Sequence, residues 1–420
     1  MMSLSRRDLW KPALGAAAAL ALRIRPGAAQ QPELQIGALY PLTGVAASFG
    51  TQQANGLKLA VQFINDAGGV KGHKVTLEFG DATNNATAVS GAERLVGSKV
   101  PLIFGTASSG LAMAASPVAE RAGVVYVETG ALNAALNHRG FKFFFHTRAN
   151  NEIFARQALA VTSDVLASKL GKKPEQMTAV VLHEDGPFGT EVGQLMPELT
   201  KQPGSPKIVS VDAYNIGQTK NFGPLILRYQ DLKPDVIYWA AYPSDAILFW
   251  RQAKQQGYTP PSVVAFSSGP GTPEFLNGVG KEDSNGVLVL DVPLGINPAG
   301  LAPEAAALLT KFENAYASAN SGQQLTGNGM VGFAGGWILL KHVLPLAEAF
   351  TPEAIQAALH RVDLPEGALP TGWGVKFDES GQNVRAFPIG LEWQDGALTP
   401  IWPAKFARSE PKYLPLPGSK

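Results

Sequence analysis

The sequence predicts an α/β protein made of two doubly wound parallel-sheet lobes. Three observations carry that expectation. Short apolar runs alternate with longer amphipathic ones, the pattern of strand and helix in a parallel sheet covered on both faces. The alternation runs through one block and then repeats in a second. The chain is also long enough for both: of its 420 residues, about 390 remain if the first 29 are a leader, against roughly 100–200 per domain.

In the first block, residues 34–40 read as a strand. Residues 50–65 read as a helix that places Leu57, Ala60, Val61 and Ile64 on one face. The cluster Ala67-Gly68-Gly69-Val70-Lys71-Gly72 is a turn. A strand at 74–79 and a helix at 87–96 follow, and segments 100–104, 112–121, 124–127 and 141–146 continue the rhythm. The second block has helices at 151–170, 189–199, 222–232 and 245–256, alternating with strands at 177–183, 207–211, 235–240 and 262–267. From about Glu274 the pattern loosens into helices at 303–319, 329–349 and 351–361. Closing strands are expected at 372–377, 387–393 and 397–402, joined by turns at Asp378-Glu379-Ser380-Gly381 and Gln394-Asp395-Gly396. The tail after Pro403, rich in Pro and Lys, is expected to pack loosely.

The first thirty residues indicate where the protein works. Ser5-Arg6-Arg7-Asp8-Leu9-Trp10-Lys11 is a twin-arginine run. The apolar stretch 12–22 falls short of the roughly 20 residues that span a bilayer, and Gly27-Ala28-Ala29 resembles a cleavage site. Residues 1–29 are therefore expected to be a twin-arginine signal peptide, leaving a soluble periplasmic protein. The net charge of +1 gives no electrostatic argument for nucleic acid or an anionic membrane. The absence of cysteine excludes a disulfide framework, a Cys-ligated metal, a thiol nucleophile and a lipid anchor at the cleavage site.

Local motifs offer little chemistry. Gly327-Asn328-Gly329-Met330-Val331-Gly332 fits the dinucleotide fingerprint, but a polar, turn-like segment precedes it where a strand is required. Small residues that let helices pack closely account for it better. The six histidines show no metal-binding spacing. His183-Glu184-Asp185 follows a strand, yet no nucleophile elbow accompanies it. Ser108-Ser109-Gly110 begins a helix after a strand, so it offers either donors to an anion or a plain helix N-cap. No cofactor and no metal are expected.

The run Ile36-Gly37-Ala38-Leu39-Tyr40-Pro41-Leu42-Thr43-Gly44 leads to Phe49-Gly50, then to Gly56 and Ile64-Asn65-Asp66-Ala67-Gly68-Gly69-Val70-Lys71-Gly72. With Ser108-Ser109, Glu184-Asp185-Gly186-Pro187-Phe188-Gly189, Tyr242 and Arg251-Gln252-Ala253, these residues resemble the periplasmic binding proteins of branched-chain amino-acid ABC transporters. The resemblance implies a type I fold, with two lobes joined by three hinge crossings near 146–151, 267–271 and 370–374. Lobe I would be 33–147 plus 272–369, and lobe II 148–271 plus 370–410. It also implies a cleft site. Ser109, with Ser108 beside it, matches the serine that holds the ligand carboxylate. Gly130 offers backbone groups, and Phe49, Phe188 and Tyr242 line the cleft.

Two departures from the family stand out. The family threonine falls at Leu132, with Thr129 three residues earlier. The family acid that pairs with the ligand ammonium falls at Gly269, with no carboxylate nearby until Glu274. Either the ligand lacks an α-amino group, or Glu128, Glu184 or Asp185 substitutes. Arg148, near a hinge, is a candidate carboxylate clamp or a structural ion pair.

The expected function is a monomeric solute-binding component of an ABC importer, without catalysis, that binds an amino acid or similar amphipathic carboxylate and delivers it to a permease. The alternatives are a binder of aromatic or aliphatic carboxylates lacking an α-amino group, a ligand-sensing ectodomain and, with no recognisable catalytic set, an exported hydrolase.

Overall fold

A computed structural model describes residues 32–44, 46–267, 269–321 and 325–419; the expected signal peptide lies outside them. The first sheet is all-parallel. Its strands are β1 (Glu33–Tyr40), β2 (Lys74–Asp81), β3 (Leu102–Gly105), β4 (Val125–Glu128) and β5 (Phe144–His146), in the order β2-β1-β3-β4-β5. Every residue of β3, β4 and β5 is buried, as expected for a parallel sheet covered by helices on both faces. Those helices include α1 (Ala47–Asp66), α2 (Asn85–Gly97) and α3 (Ser109–Ala122).

The second sheet contains β6 (Thr178–Glu184), β7 (Lys207–Tyr214), β8 (Val236–Ala240), β9 (Ser262–Phe266) and β10 (Leu288–Asp291). Two antiparallel strands close it: β13 (Ile389–Gln394) and β14 (Ala397–Trp402), giving the order β14-β13-β10-β9-β8-β6-β7. Between them in sequence, β11 (Asp363–Leu364) and β12 (Val375–Lys376) form a separate two-stranded ribbon. The helices of this lobe are α4 (Asn151–Val161), α5 (Pro187–Leu199), α6 (Gly223–Leu232), α7 (Pro243–Gln255) and α8 (Pro273–Val279). Helices α9 (Pro303–Ala319), α10 (Gly327–Trp337) and α11 (Pro352–Arg361) return to the first lobe.

Two of the three expected crossings move. The first does fall between β5 and α4. The second lies after Asp291, because β10 pairs in parallel with β9 and so extends the second sheet. Residues 272–291, expected in lobe I, therefore belong to lobe II. The third lies between Asn383 and β13, because Gln382 still bridges His146 of the first lobe. The tail is also more ordered than its composition suggests. Glu392 accepts hydrogen bonds from the backbone N–H of Lys412 and Tyr413, both at 2.8 Å, and Leu416 is buried.

The glycine run at 327–332 opens α10, which packs along α1. A Cβ at Gly332 would lie 2.1 Å from the Gln53 carbonyl oxygen, and one at Gly56 would lie 2.0 Å from that of Gly329. Only hydrogen fits at this contact, so close helix packing explains the motif. With its continuation to Leu346, α10 is long and apolar enough to span a membrane, but most of it is buried in this core.

Candidate functional site

The two sheets present the C-terminal ends of their strands to a cleft, where ligands bind in open α/β folds. Helices α1, α3 and α7 begin there, so their N-termini face it. The cleft encloses roughly 490 Å³. Ala46, Ser48, Phe49, Thr83, Ser108 and Leu111 line it from the first lobe. Ile216, Gly217, Tyr242, Pro243, Ser244, Asp245, Ile247 and Glu274 line it from the second. The lobes meet around it. The Ser48 hydroxyl donates to Glu274 Oε1 at 2.5 Å, and the Asn133 side chain donates to the Pro187 carbonyl at 2.6 Å. Glu191 on α5 accepts from the backbone N–H of Ala134 at 2.8 Å and of Ala135 at 3.1 Å.

Three of the expected residues line this cavity: Phe49, Ser108 and Tyr242. The Phe49 and Tyr242 rings lie 6.0 Å apart, and Phe188 packs edge-on against Tyr242 from behind. Ser108 reaches the Tyr242 hydroxyl. It precedes α3 without capping it through its side chain, and it lines the cleft.

The other expected residues serve the scaffold. The Ser109 hydroxyl, buried, accepts from the backbone N–H of Leu132 and Asn133, both at 3.2 Å. It fixes the neighbouring turn, and Ser108, not Ser109, lines the cavity. Thr129 bonds Tyr40 and Gln53 inside the first lobe. Leu132 is core. Gly130 donates its N–H to Glu128 at 2.7 Å and accepts from Arg148 at 3.2 Å, so neither backbone group faces the ligand. Gly269 donates to the Ala241 carbonyl at 2.9 Å, and a Cβ there would strike that backbone. It supports the strand end that carries Tyr242.

Arg148 is not among the residues that line this cavity. Its guanidinium is buried and pairs with Asp291 at 3.3 Å, joining the first crossing to the second. Gln382, just before the third crossing, donates to the Arg148 carbonyl at 2.7 Å. These contacts engage both terminal nitrogens of the guanidinium and leave Nε without a protein partner, and they favour the structural reading of Arg148.

The three expected substitute acids are also engaged. Glu128 ends β4 and accepts from the backbone N–H of Thr106 at 2.6 Å, Gly130 at 2.7 Å, Ala131 at 2.8 Å and Ala107 at 3.3 Å. Burial pushes its carboxyl up to about 7, against the pull of those four donors. Glu184 ends β6 in the same way and accepts from the N–H of Gly186 and Gly189. Asp185 accepts from Asn215 and Ile216.

The acids that do face the cleft are Glu274, in the first turn of α8, and Asp245, in the first turn of α7. The signal for Glu274 was present, as the first acid after Gly269. Asp245 looked like an ordinary helix-start residue. Thr83, Ile216 and Gly217 had no local signal, because loop length and lobe closure bring them to the cleft.

The model of the family described as periplasmic binding protein matches residues 33–397. This chain belongs to the periplasmic binding protein family. The relatives agree. The Leu/Ile/Val-binding protein homolog 8 of Brucella suis is 33% identical over 401 residues, covering 95% of this chain and 98% of that protein. The Leu/Ile/Val-binding protein homolog 7 of the same organism is 33% identical over 379 residues, covering 90% and 93%. The fold recurs in the isoleucine complex of LivJ from Streptococcus pneumoniae (TM-score 0.72, 21% identity, covering 87% of this chain and 97% of that one). It also recurs in LivK, a leucine-binding protein from Thermotoga maritima (TM-score 0.70, 23% identity, with the same coverages). This periplasmic binding protein therefore has the type I fold, with its cleft where the two lobes of that fold meet.

Proposed function

We propose that this chain is the substrate-binding component of an ABC importer and that its ligand is an amino acid. The observation that carries the reading is the combination of groups in one cavity. The start of α3 and the Ser108 hydroxyl suit a carboxylate. The faces of Phe49 and Tyr242, with Leu111 and Ile247, suit an apolar stem. Glu274 suits an ammonium, with one oxygen held by Ser48 and the other, buried, without a protein partner. The case for a ligand without an α-amino group rested on the missing acid at position 269, and Glu274 answers it. The names of the relatives point to the same ligand class.

In this reading the protein works by binding and hinge closure, and the ligand leaves chemically unchanged. The mature chain acts in the periplasm as a soluble monomer, docks on a permease and reaches its compartment by the twin-arginine route. A thermal-shift screen of the mature protein against amino acids tests the ligand class. A true ligand at about 100 times its dissociation constant should add roughly 2.7 kcal/mol. No shift with any amino acid, or recovery of a converted product, would reject the reading. Arg6→Lys with Arg7→Lys should hold the precursor in the cytoplasm; normal export of that double variant would remove the twin-arginine assignment.

A further inference from the structure

The cleft holds more negative charge than an α-amino acid needs. Its lining includes two carboxylates, Asp245 and Glu274, and, among the described residues, no Lys, Arg or His. If Glu274 receives the α-ammonium, Asp245 remains. That residue is 4% exposed. Its Oδ1 accepts from the Gly217 N–H at 3.3 Å, while its Oδ2 is buried without a protein partner. The start of α7 explains why an acid is tolerated at this position. It does not explain why one oxygen of a cavity-lining residue is buried without a donor, which is costly. Around the two acids the lining is aliphatic and aromatic, through Leu111, Ile216, Pro243, Ile247, Phe49 and Tyr242. An apolar wall with a separate buried acid fits a side chain that has an aliphatic stem and a charged head.

We infer that the cleft selects amino acids with a basic side chain, and that Asp245 is the partner of the side-chain cation. The inference rests on the amino-acid reading of the cleft and goes beyond it, because the ligand would then carry a net positive charge, unlike leucine, isoleucine or valine. Asp245 has a second task. Through Gly217 it holds the loop that places Ile216 over the cavity, so a ligand cation that pairs with Asp245 also meets the group that fixes this flap.

The test is isothermal titration of the purified mature protein with lysine and with norleucine, which has the same stem and no side-chain amine. Lysine should bind at least roughly tenfold more tightly, the effect of one charge-assisted hydrogen bond. In Asp245→Asn, which keeps an oxygen for the Gly217 N–H, the lysine-to-norleucine ratio should fall toward one. Norleucine matching or exceeding lysine on the wild type would overturn the inference and leave the amino-acid reading standing. So would a ratio that survives Asp245→Asn. If the wild type binds neither these nor any other amino acid, the amino-acid reading itself fails and the inference with it. The wild-type comparison decides even if the variant folds poorly.

Discussion

Replacing Arg148 with methionine should destabilise the protein by about 3–5 kcal/mol, the cost of leaving one member of a buried ion pair without its partner. The magnitude follows from the surroundings. The side chains of Arg148 and Asp291 are only 5% and 12% exposed, and they lie 3.3 Å apart. Without Arg148, Asp291 keeps the Ser267 hydroxyl at 2.8 Å and the Val292 N–H at 2.7 Å, which solvate the carboxylate but do not neutralise it. Asp291→Asn should cost a comparable amount, by stranding the guanidinium. The double variant Arg148→Met/Asp291→Asn should cost clearly less than the two single costs added, with a coupling of about 1–3 kcal/mol. Urea denaturation of the four proteins measures this cycle, and strict additivity would refute the pairing. Ligand binding gives a second reading. A residue that clamped the ligand carboxylate would, when removed, weaken an amino acid but not its amide. Arg148→Met should instead change both by the same factor, since it acts on the crossings. Selective loss of the free acid would restore Arg148 to the binding site.

Three further outcomes are expected. Glu128 has a native carboxyl raised from 4.5 to about 7, so the folded state holds its proton where the unfolded state has lost it. Stability should therefore fall by about 3 kcal/mol as pH rises from about 4.5 to 7, and Glu128→Gln should flatten that stretch of the profile in chemical denaturation; an unchanged slope would be the contrary result. Ser109→Ala should cost about 1–3 kcal/mol by stripping two buried N–H groups of their acceptor, whereas Ser108→Ala should leave unfolding nearly unchanged and weaken ligand binding; the reverse pattern in paired denaturation and titration would reassign the two hydroxyls. Gly332→Ala should destabilise by about 1–3 kcal/mol despite the better helix propensity of alanine, because its Cβ meets the Gln53 carbonyl at 2.1 Å; a melting temperature at or above that of the wild type would show that the helix contact yields easily.

Much of the fold was legible because its signals are local. The alternation from residue 34 to residue 267 marked the strands and helices of both blocks, and α9 and β14 fall at the expected positions. The lobe boundaries were misplaced where that local signal thins. Helix α8 has seven residues and β10 four, too few for a period to register, and together they hid a strand of the second sheet. The crossings shifted with it, since pairing with β9 decides which lobe holds residues 288–291. The site was legible at its aromatic positions and at the serine pair, where residue type and helix starts coincide. Which serine faces the cleft depends on one residue of rotation at the start of α3, and sequence spacing does not resolve that.

The acids show a deeper reason why the site was only partly readable. Glu128 and Glu184 stand at the C-terminal ends of strands β4 and β6, one in each lobe, where a ligand-binding acid is commonly sought. Both turn inward and bond the N–H groups of their own loops. A carboxylate at a strand end can organise the binding loops or bind the ligand, and these two have their oxygens engaged by loop N–H groups. Here the loops are organised from within, so their geometry is set before any ligand arrives and little ordering remains to be done on binding. In the proposed reading, recognition falls to Asp245 and Glu274, at the starts of helices that follow other strands of the second lobe. The Ser48–Glu274 contact is one place where the two lobes touch. In that reading selectivity and closure share a residue, and a ligand cation that engaged Glu274 would favour the conformation in which the lobes touch.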